Sequence, residues 1–117
     1  MESYDTWPML DKYSSLQTST MLKEIAEKGI RVHTFLPASD GTMTSLATLI
    51  AGLPDDNLNI NYQLSAKTPF PTAIASIMKT LGYKTRFFYG GYLSWQRIEE
   101  FCRNQGFEEI YGAPHMD

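Results

Sequence analysis

The sequence has a single cysteine, no long apolar run and no cluster of basic residues. Cys102 alone cannot form an internal disulfide or a zinc site built from several cysteines. The chain carries 10 Lys and Arg against 13 Asp and Glu. This balance argues against a nucleic-acid surface, which depends on clustered basic residues. No apolar run has the roughly 18 residues that suggest a membrane helix, and the first residues have neither the basic nor the apolar region of a signal peptide.

The length and composition fit one domain with one hydrophobic core, since 43% of the 117 residues are hydrophobic. The chain opens on a polar, aromatic segment and its last letters, YGAPHMD, follow a turn. We therefore expect residues 1–117 to be a single domain that forms the N-terminal piece of a larger catalytic domain.

The apolar spacing alternates between helical and strand periods. Helices are predicted over residues 18–28, 42–52, 71–82 and 93–104, and strands over 30–36, 83–89 and 107–111. This alternation predicts an α/β fold with mostly parallel strands. Residues 1–17 are predicted to form a loop with aromatic anchors at Tyr4, Trp7 and Tyr13. Residues 54–69 are predicted to form a long polar loop, and a loop of that length is often functional or packs on another part of the structure.

The helical spacing also predicts which side chains face the core. In the helix over 93–104, Cys102 is expected to be buried and inert. The other residues expected to face inward are Leu46, Leu49, Ile50, Ile74, Ile77, Met78, Leu81, Trp95, Ile98 and Phe101.

The turn before the second helix is rich in hydroxyl groups. Ala38 to Gly41 leads directly into Thr42, Thr44 and Ser45. Backbone N–H groups at a helix start favour an anion, and a hydroxyl there can be a nucleophile if a base or metal activates it. The alternative is that Thr42 or Ser39 only caps the helix.

The segment FFYGGYLSWQRIEEF is the second candidate. A strand ends at Tyr89, two glycines follow, and Trp95 and Arg97 lie at a helix start. Arg97 could make bidentate contacts with an anion and Trp95 could pack on a ligand. The alternative is that Trp95 belongs to the core and Arg97 pairs with a nearby glutamate.

The remaining polar candidates have plain structural interpretations. Glu2 would ordinarily be a solvated terminal residue, and Asp55 and Asp56 would form a solvated turn. His33 lies in a predicted strand and His115 near the end, and neither belongs to a metal-binding pair.

Taken together, the segments MESYD, HTFLPASDGTMTSLATLIAGLP and LGYKTRFFYGGYLSWQRIEEFCRNQGFEEIYG resemble the N-terminal part of the sulfatase-like enzymes of the alkaline-phosphatase superfamily. The similarity is strongest to the membrane-anchored lipoteichoic-acid-synthase-like and phosphoethanolamine-transferase-like branch of bacteria. It covers nearly the whole chain.

The resemblance implies roles for particular residues. Glu2 matches a metal ligand, and Thr44, the second threonine of GTMTS, matches the nucleophile and a further metal ligand. Trp95 and Arg97 match the substrate pocket. Tyr89 falls, with a gap of one residue, near a histidine that contacts phosphate in some members. The implied metal is Mn²⁺ or Zn²⁺.

Two departures from the family pattern narrow this expectation. The Cys-x-Pro-x-Arg motif of true sulfatases is absent, which favours phosphoryl chemistry over sulfate-ester hydrolysis. The later Asp-His pair and histidine of the family are also absent, and Glu2 with Thr44 gives a metal too few ligands. We therefore expect this chain alone to hold no metal and to be inactive.

The resulting hypothesis is a piece of a metal-dependent phosphotransferase or ester hydrolase. Its substrate would be a small anionic phospho- or sulfo-ester at the outer membrane face, in a parent anchored in the membrane with its catalytic domain outside the cytoplasm. An exposed sheet edge could pair with a second copy. The alternative is a small, non-catalytic α/β binding module in which Thr42 and Thr44 are helix caps.

Overall fold

The structure, a computed structural model, describes residues 6–30, 32, 36–54 and 56–115. The chain divides into two compact units, Met1–Leu36 and Pro37–Asp117. Glu2, His33 and Asp55 lie outside the described residues, and so does most of the strand predicted over 30–36.

In its described residues, the first unit consists of 3₁₀ turns and one helix. The turns cover Trp7–Met9 and Asp11–Leu16, and the helix, α1, covers Thr20–Lys28. Trp7 packs edge-on against Tyr13 with ring centroids 5.2 Å apart, so these two predicted aromatic anchors pack within the segment, while the third, Tyr4, lies outside the described residues. Helix α1 follows Ser19 at its N-cap and ends before Gly29, close to the predicted bounds.

The second unit begins with the helix predicted over 42–52. This helix, α2, covers Thr42–Ala51 and buries Met43, Ala47 and Ile50. Leu46 packs against the core as predicted. Leu49 does not, because it is 59% exposed on the opposite side of the helix.

Gly52 ends α2 in the left-handed region at φ 69°, where a side chain is strained. A Cβ there would also lie 2.6 Å from the carbonyl oxygen of Thr72. The hydroxyl of Thr72 in turn donates to the carbonyl of Ala51. The end of α2 therefore approaches the segment before the next helix through backbone contact.

The next helix, α3, covers Ile74–Thr80, and its predicted buried face is wrong. Ile74, Ile77, Met78 and Leu81 are 37–65% exposed. The buried residues are instead Ala73 and Ala75. Ser76, beside them, donates to the carbonyl of Gln105 at 3.0 Å. Small side chains let this face approach the neighbouring backbone closely, so the bulky apolar face turns outward.

A βαβ unit completes the fold. Strand β1 covers Arg86–Phe88, helix α4 covers Ile98–Asn104, and strand β2 covers Glu109–Tyr111. The strands are parallel, with Phe87 opposite Ile110. Both are shorter than predicted, but the α/β class with parallel strands is confirmed.

The core lies between α2 and α4. Ile98, Phe101 and Cys102 of α4 are fully buried and join Ile50 of α2 and Ile110 of β2 in one cluster. Burial raises the pKa of the Cys102 thiol to about 12. The prediction of a buried thiol is therefore confirmed, and its inertness follows because the thiolate is the reactive form.

A buried glutamine ties the long polar loop to the end of α4. Gln105 accepts a hydrogen bond from the backbone N–H of Phe70 at 2.9 Å and donates to the carbonyl of Ala66 at 3.0 Å. Its amide is thus satisfied on both sides, as a buried polar group requires. The loop itself contains two 3₁₀ turns, Ile60–Tyr62 and Leu64–Lys67.

Candidate functional site

Thr44 lies in the first turn of α2. The N-cap of this helix is Gly41, whose carbonyl accepts the first helical hydrogen bond from the N–H of Ser45 at 2.9 Å. No side chain makes a capping hydrogen bond there. Thr42 is the exposed first residue of the helix, so the interpretation of Thr42 or Ser39 as the cap is wrong.

A network of hydroxyl groups fixes the direction of the Thr44 side chain. Thr44 Oγ1 lies 2.6 Å from Ser39 Oγ and donates to the carbonyl of Gly41 at 3.0 Å. Either hydroxyl can be the donor of the shorter bond, since Ser39 Oγ also lies 3.4 Å from Asp40 Oδ1 and each hydroxyl has one proton. One lone pair of the Thr44 oxygen remains for a further interaction.

Ser45 anchors the same loop to the helix. Its Oγ donates to the carbonyl of Ser39 at 3.0 Å and accepts from the N–H of Ser39 at 3.2 Å. Ser39 is therefore bound to α2 through its backbone as well as its side chain. The many hydroxyls at this helix start connect the preceding turn to the first turn of α2.

Gly41 leaves the space that the Thr44 hydroxyl occupies. A Cβ at Gly41 would lie 2.8 Å from Thr44 Oγ1, closer than real Cβ contacts come. The backbone of Gly41, with φ −110° and ψ 147°, is open to any residue. Glycine is needed here for space and not for its backbone freedom.

Tyr89 and Trp95 form a stacked pair at the carboxyl end of the sheet. Tyr89 follows β1 directly, and its N–H donates to the carbonyl of Tyr111 at 2.8 Å. Its ring stacks on Trp95, with centroids 5.8 Å apart and planes at 23°. A Cβ at Gly91 would lie 2.7 Å from the Tyr89 ring, so this glycine makes room for the pair.

The helix predicted over 93–104 is broken at its start. Trp95–Arg97 form a 3₁₀ turn, and α4 begins only at Ile98. Gln96 and Arg97 are both left-handed, at φ 51° and φ 54°. Such backbone costs a non-glycine residue on the order of 1–3 kcal/mol and persists only where the surroundings impose it.

Arg97 is already paired. Its guanidinium donates to both carboxylate oxygens of Glu100, at 2.6–2.9 Å, and lies 5.7 Å from the centre of the Tyr62 ring. The ion pair with Glu100 agrees with the alternative prediction that Arg97 pairs with a nearby glutamate. It also shows that this guanidinium can bind an anion through two hydrogen bonds. Exposed pairs of this kind are weak, so another anion can replace the carboxylate.

The candidate residues do not all line one cavity. Arg97 lines a cleft of about 510 Å³ together with Leu93, Glu100 and Arg103, and Thr44 is not part of it. Thr44 lines a separate, much smaller cavity beside Thr48 and Leu53. The elements are nevertheless linked, because the turn Ile60–Tyr62 contacts both α2 and the turn Trp95–Arg97.

No metal site is complete within the described residues. They contain no group of three His, Cys, Asp or Glu side chains that could hold an ion, and Glu2, one of the two predicted ligands, lies outside them. Thr44 alone does not fit a divalent ion. His115 accepts a hydrogen bond from the N–H of Gly112 through Nδ1, at 3.1 Å, which gives it a local structural role.

Several residues that shape the site were not assigned these roles from sequence. From the sequence, Ser39 is a candidate only for the helix cap, and Gly41 only for part of a turn. Asn61 and Tyr62 contact the turn that carries Arg97 from about 35 positions earlier in the chain. The length of the polar loop was the one sequence signal that pointed towards Asn61 and Tyr62.

Comparison with known proteins agrees with the resemblance seen in the sequence. The sulfatase family model matches residues 6–117, a range that includes Thr44, Tyr89, Trp95 and Arg97 but begins after Glu2. Among curated proteins and among solved structures, no match to the chain is found. Members of the matched family act on sulfate esters and generally use a divalent metal. Since the match covers nearly the whole chain, this protein belongs to the sulfatase family, whose function is of the hydrolase type.

Proposed function

We propose that the chain is part of a metal-dependent phosphotransferase or ester hydrolase in which Thr44 is the nucleophile. The observation that supports this is the placement of the Thr44 hydroxyl: it lies in the first turn of a ten-residue helix, half-buried, with its hydrogen-bond directions set by Ser39 and Gly41. The N-terminus of such a helix favours the negative charge of a phosphate or sulfate group.

The proposed step is an in-line displacement. Thr44 Oγ1 forms a bond to the phosphorus or sulfur atom of the ester, and the bond from that atom to the leaving oxygen breaks. The Thr44 hydroxyl loses its proton and the leaving oxygen gains one; water or an acceptor alcohol later takes the group from Thr44, whose oxygen then regains a proton. When bound, a divalent ion such as Mn²⁺ or Zn²⁺ lowers the pKa of an alcohol and neutralises charge on the attacked group.

Glu2 and Thr44 are proposed as two oxygen ligands of that ion. Two ligands do not complete the coordination of Mn²⁺ or Zn²⁺. We infer that the other ligands come from residues outside this sequence, and that the chain alone has no turnover. The resemblance to the superfamily, whose site includes a later Asp-His pair, supports this inference.

The proposed substrate is a small anionic ester. Arg97 would contact its charged oxygens in place of Glu100, and Trp95 and Tyr89 would pack beside it. Phosphate is favoured over sulfate because the sequence lacks the Cys-x-Pro-x-Arg motif of true sulfatases.

The proposed setting follows from the same branch of the superfamily. The parent protein would be anchored in the membrane, with this domain outside the cytoplasm, and would act on a phospholipid or polyol phosphate. Among the described residues, no helix is long and apolar enough to cross a bilayer. Self-association through the sheet edge is also proposed, since the sheet has two strands in the described part of the chain.

A non-catalytic binding module is the competing proposal. It is favoured by the internal hydrogen bonds of the Thr44 hydroxyl, which would serve equally well to hold the turn against α2. It is also favoured by the absence of Thr44 from the cleft that Arg97 lines.

Substitution of Thr44 separates the two proposals. In the complete gene product with Mn²⁺, Thr44→Ala should lower the turnover of p-nitrophenyl phosphate by roughly 10³-fold or more, as expected on loss of a nucleophile. Thr42→Ala is the matched control. It removes an exposed hydroxyl that caps nothing, so both turnover and thermal stability should stay near the wild-type values.

The same assay with p-nitrophenyl sulfate tests the substrate class. Wild-type protein without turnover of either ester would favour the binding module, whereas full turnover in Thr44→Ala would show that Thr44 is not the nucleophile. Faster turnover of the sulfate ester than of the phosphate ester would show that the proposed preference for phosphate over sulfate is wrong.

A further inference from the structure

The turn that carries Arg97 holds an unfavourable backbone. Gln96 and Arg97 are consecutive non-glycine residues with positive φ, and no glycine in the turn relieves them. Left-handed pairs of this kind relax unless other contacts prevent it, and they are concentrated at functional sites. The contacts that prevent relaxation here come from another part of the chain.

Two adjacent side chains of the long polar loop hold this turn. Asn61 Nδ2 donates to the carbonyl oxygen of Gln96 at 2.7 Å. The Tyr62 hydroxyl donates to Gln96 Oε1 at 3.0 Å. Gln96 is thus bound through its backbone and through its side chain, and both partners belong to the turn Ile60–Tyr62.

Asn61 is more deeply buried than a loop asparagine requires. It is 6% exposed, and its Oδ1 has no hydrogen-bond partner among the described residues. Burying an unpaired carbonyl oxygen is unfavourable, so a residue chosen for stability alone would not be expected here. An apolar residue at position 61 could not donate the hydrogen bond to the carbonyl oxygen of Gln96.

Tyr62 also contacts the arginine. The guanidinium of Arg97 lies over the Tyr62 ring, 5.7 Å from its centre, while the hydroxyl of the same ring binds Gln96. One side chain therefore touches both residues of the strained pair. Its ring limits the directions in which Arg97 can extend.

We propose that Asn61 and Tyr62 are positioning residues for anion recognition by Arg97. They hold Gln96 and Arg97 in the left-handed region, and this backbone sets the direction in which the guanidinium presents its donors. This proposal rests on the proposed role of Arg97 in binding the anionic group of the substrate. It assigns a function to the polar loop over residues 54–69, for which the proposed role of Thr44 gives no explanation.

The test measures the affinity of the complete gene product for inorganic phosphate by calorimetry. Asn61→Ala should raise the dissociation constant about 5–10-fold, because a misdirected arginine loses its bidentate geometry. The melting temperature should change little, because the substitution also removes the unpaired Oδ1. Gln63→Ala, which truncates an exposed neighbour in the same loop, is the control and should leave both values unchanged.

A second substitution supplies a rescue that a purely structural role would not give. Glycine adopts positive φ at no steric cost, so Gln96→Gly should remove the need for the holding contacts. The double variant Asn61→Ala/Gln96→Gly should therefore recover most of the phosphate affinity. Wild-type affinity in Asn61→Ala, or no recovery in the double variant, would overturn the proposal.

Two further measurements separate this proposal from the proposed function. Arg97→Ala should weaken phosphate binding, whereas Lys79→Ala, which removes an exposed cation that pairs with Glu108 and does not line this cleft, should not. If both bind phosphate normally, the role of Arg97 in the proposed function is wrong. The positioning role is then decided by a crystal structure of Asn61→Ala: negative φ at Gln96 and Arg97 supports it, and retained positive φ refutes it.

Discussion

Gly41 is the residue on which the direction of the Thr44 hydroxyl most directly depends. Among the described residues, and apart from the chain neighbours of Gly41, the oxygen of that hydroxyl is the one atom within 4 Å of a Cβ at position 41. The clash in Gly41→Ala can therefore be relieved by rotating Thr44 about χ1, which breaks the bonds to Ser39 and Gly41 but leaves the helix intact.

We predict that Gly41→Ala separates activity from stability. Turnover by the complete gene product should fall about 10²-fold, because a nucleophile displaced by about 1 Å loses that much. The melting temperature should remain close to that of the wild type. Gly90→Ala is the control, since a Cβ there meets no atom of the described residues within 4 Å. Normal turnover in Gly41→Ala would show that the hydroxyl direction does not matter.

At the level of elements, one carboxylate joins the two strands. Glu109 begins β2 opposite Arg86 of β1 and forms ion pairs with Arg86 and Lys84. The Tyr111 hydroxyl donates to the same carboxylate at 3.1 Å. The hydrogen bond from Lys84 and then that from Arg86 lower the pKa of Glu109 from 4.5 to about 2.

This lowered pKa predicts how acid affects the strand pair. A carboxylate whose pKa is lower in the folded state stabilises the fold above its unfolded value, and that stabilisation is lost as the pH falls through the folded value. Between pH 4.5 and pH 2, the urea midpoint of the wild type should therefore fall faster than that of Glu109→Gln. Glu27→Gln in α1 is the control, and equal slopes for Glu109→Gln and the wild type would contradict the prediction.

The elements also show what the sequence could and could not predict. The alternation of helices with parallel strands and the helix from Thr42 onward followed from apolar spacing. The buried face of α3 could not be predicted in this way. Ala73 and Ala75 are buried because their small side chains allow close packing, and a search for large apolar residues overlooks them. The break at Gln96 is imposed by Asn61 and Tyr62, and no local pattern signals a contact 34–35 positions away.

The candidate site was predictable to a similar extent. Family resemblance indicated Thr44, Trp95 and Arg97, and the structure places Thr44 in the first turn of its helix and Arg97 at the start of α4. The sequence predicts the partner of Arg97 only as a nearby glutamate, which the structure identifies as Glu100. The contacts of Ser39 and Gly41 with Thr44 depend on the path of a turn, which residue types alone do not determine.

For the whole molecule, association through the sheet is the property most open to measurement. In the described part of the chain, β1 and β2 each have one edge without a strand partner. Such edges are templates for pairing with a second copy. Sedimentation of the 117-residue chain should therefore reveal a dimer whose fraction rises with concentration.

A charged residue in the strand should oppose this pairing. Phe88 ends β1 and is 61% exposed, so Phe88→Lys should lower the dimer fraction. Tyr92→Lys adds the same charge at an exposed position outside the strands and should leave the fraction unchanged. A monomer throughout the concentration range would rule out association through this edge.

Because Cys102 is deeply buried, the rate at which its thiol is alkylated should measure how often the core around α4 unfolds. With no exposed surface and a pKa near 12, the thiol cannot react with an alkylating reagent in the folded state. Because Cys102 lies among Phe101, Ile98 and Ile110, labelling should require separation of α4 from the sheet. Its rate at pH 8 should follow the population of unfolded molecules measured with urea. Rapid labelling without urea would mean that α4 opens independently of the rest.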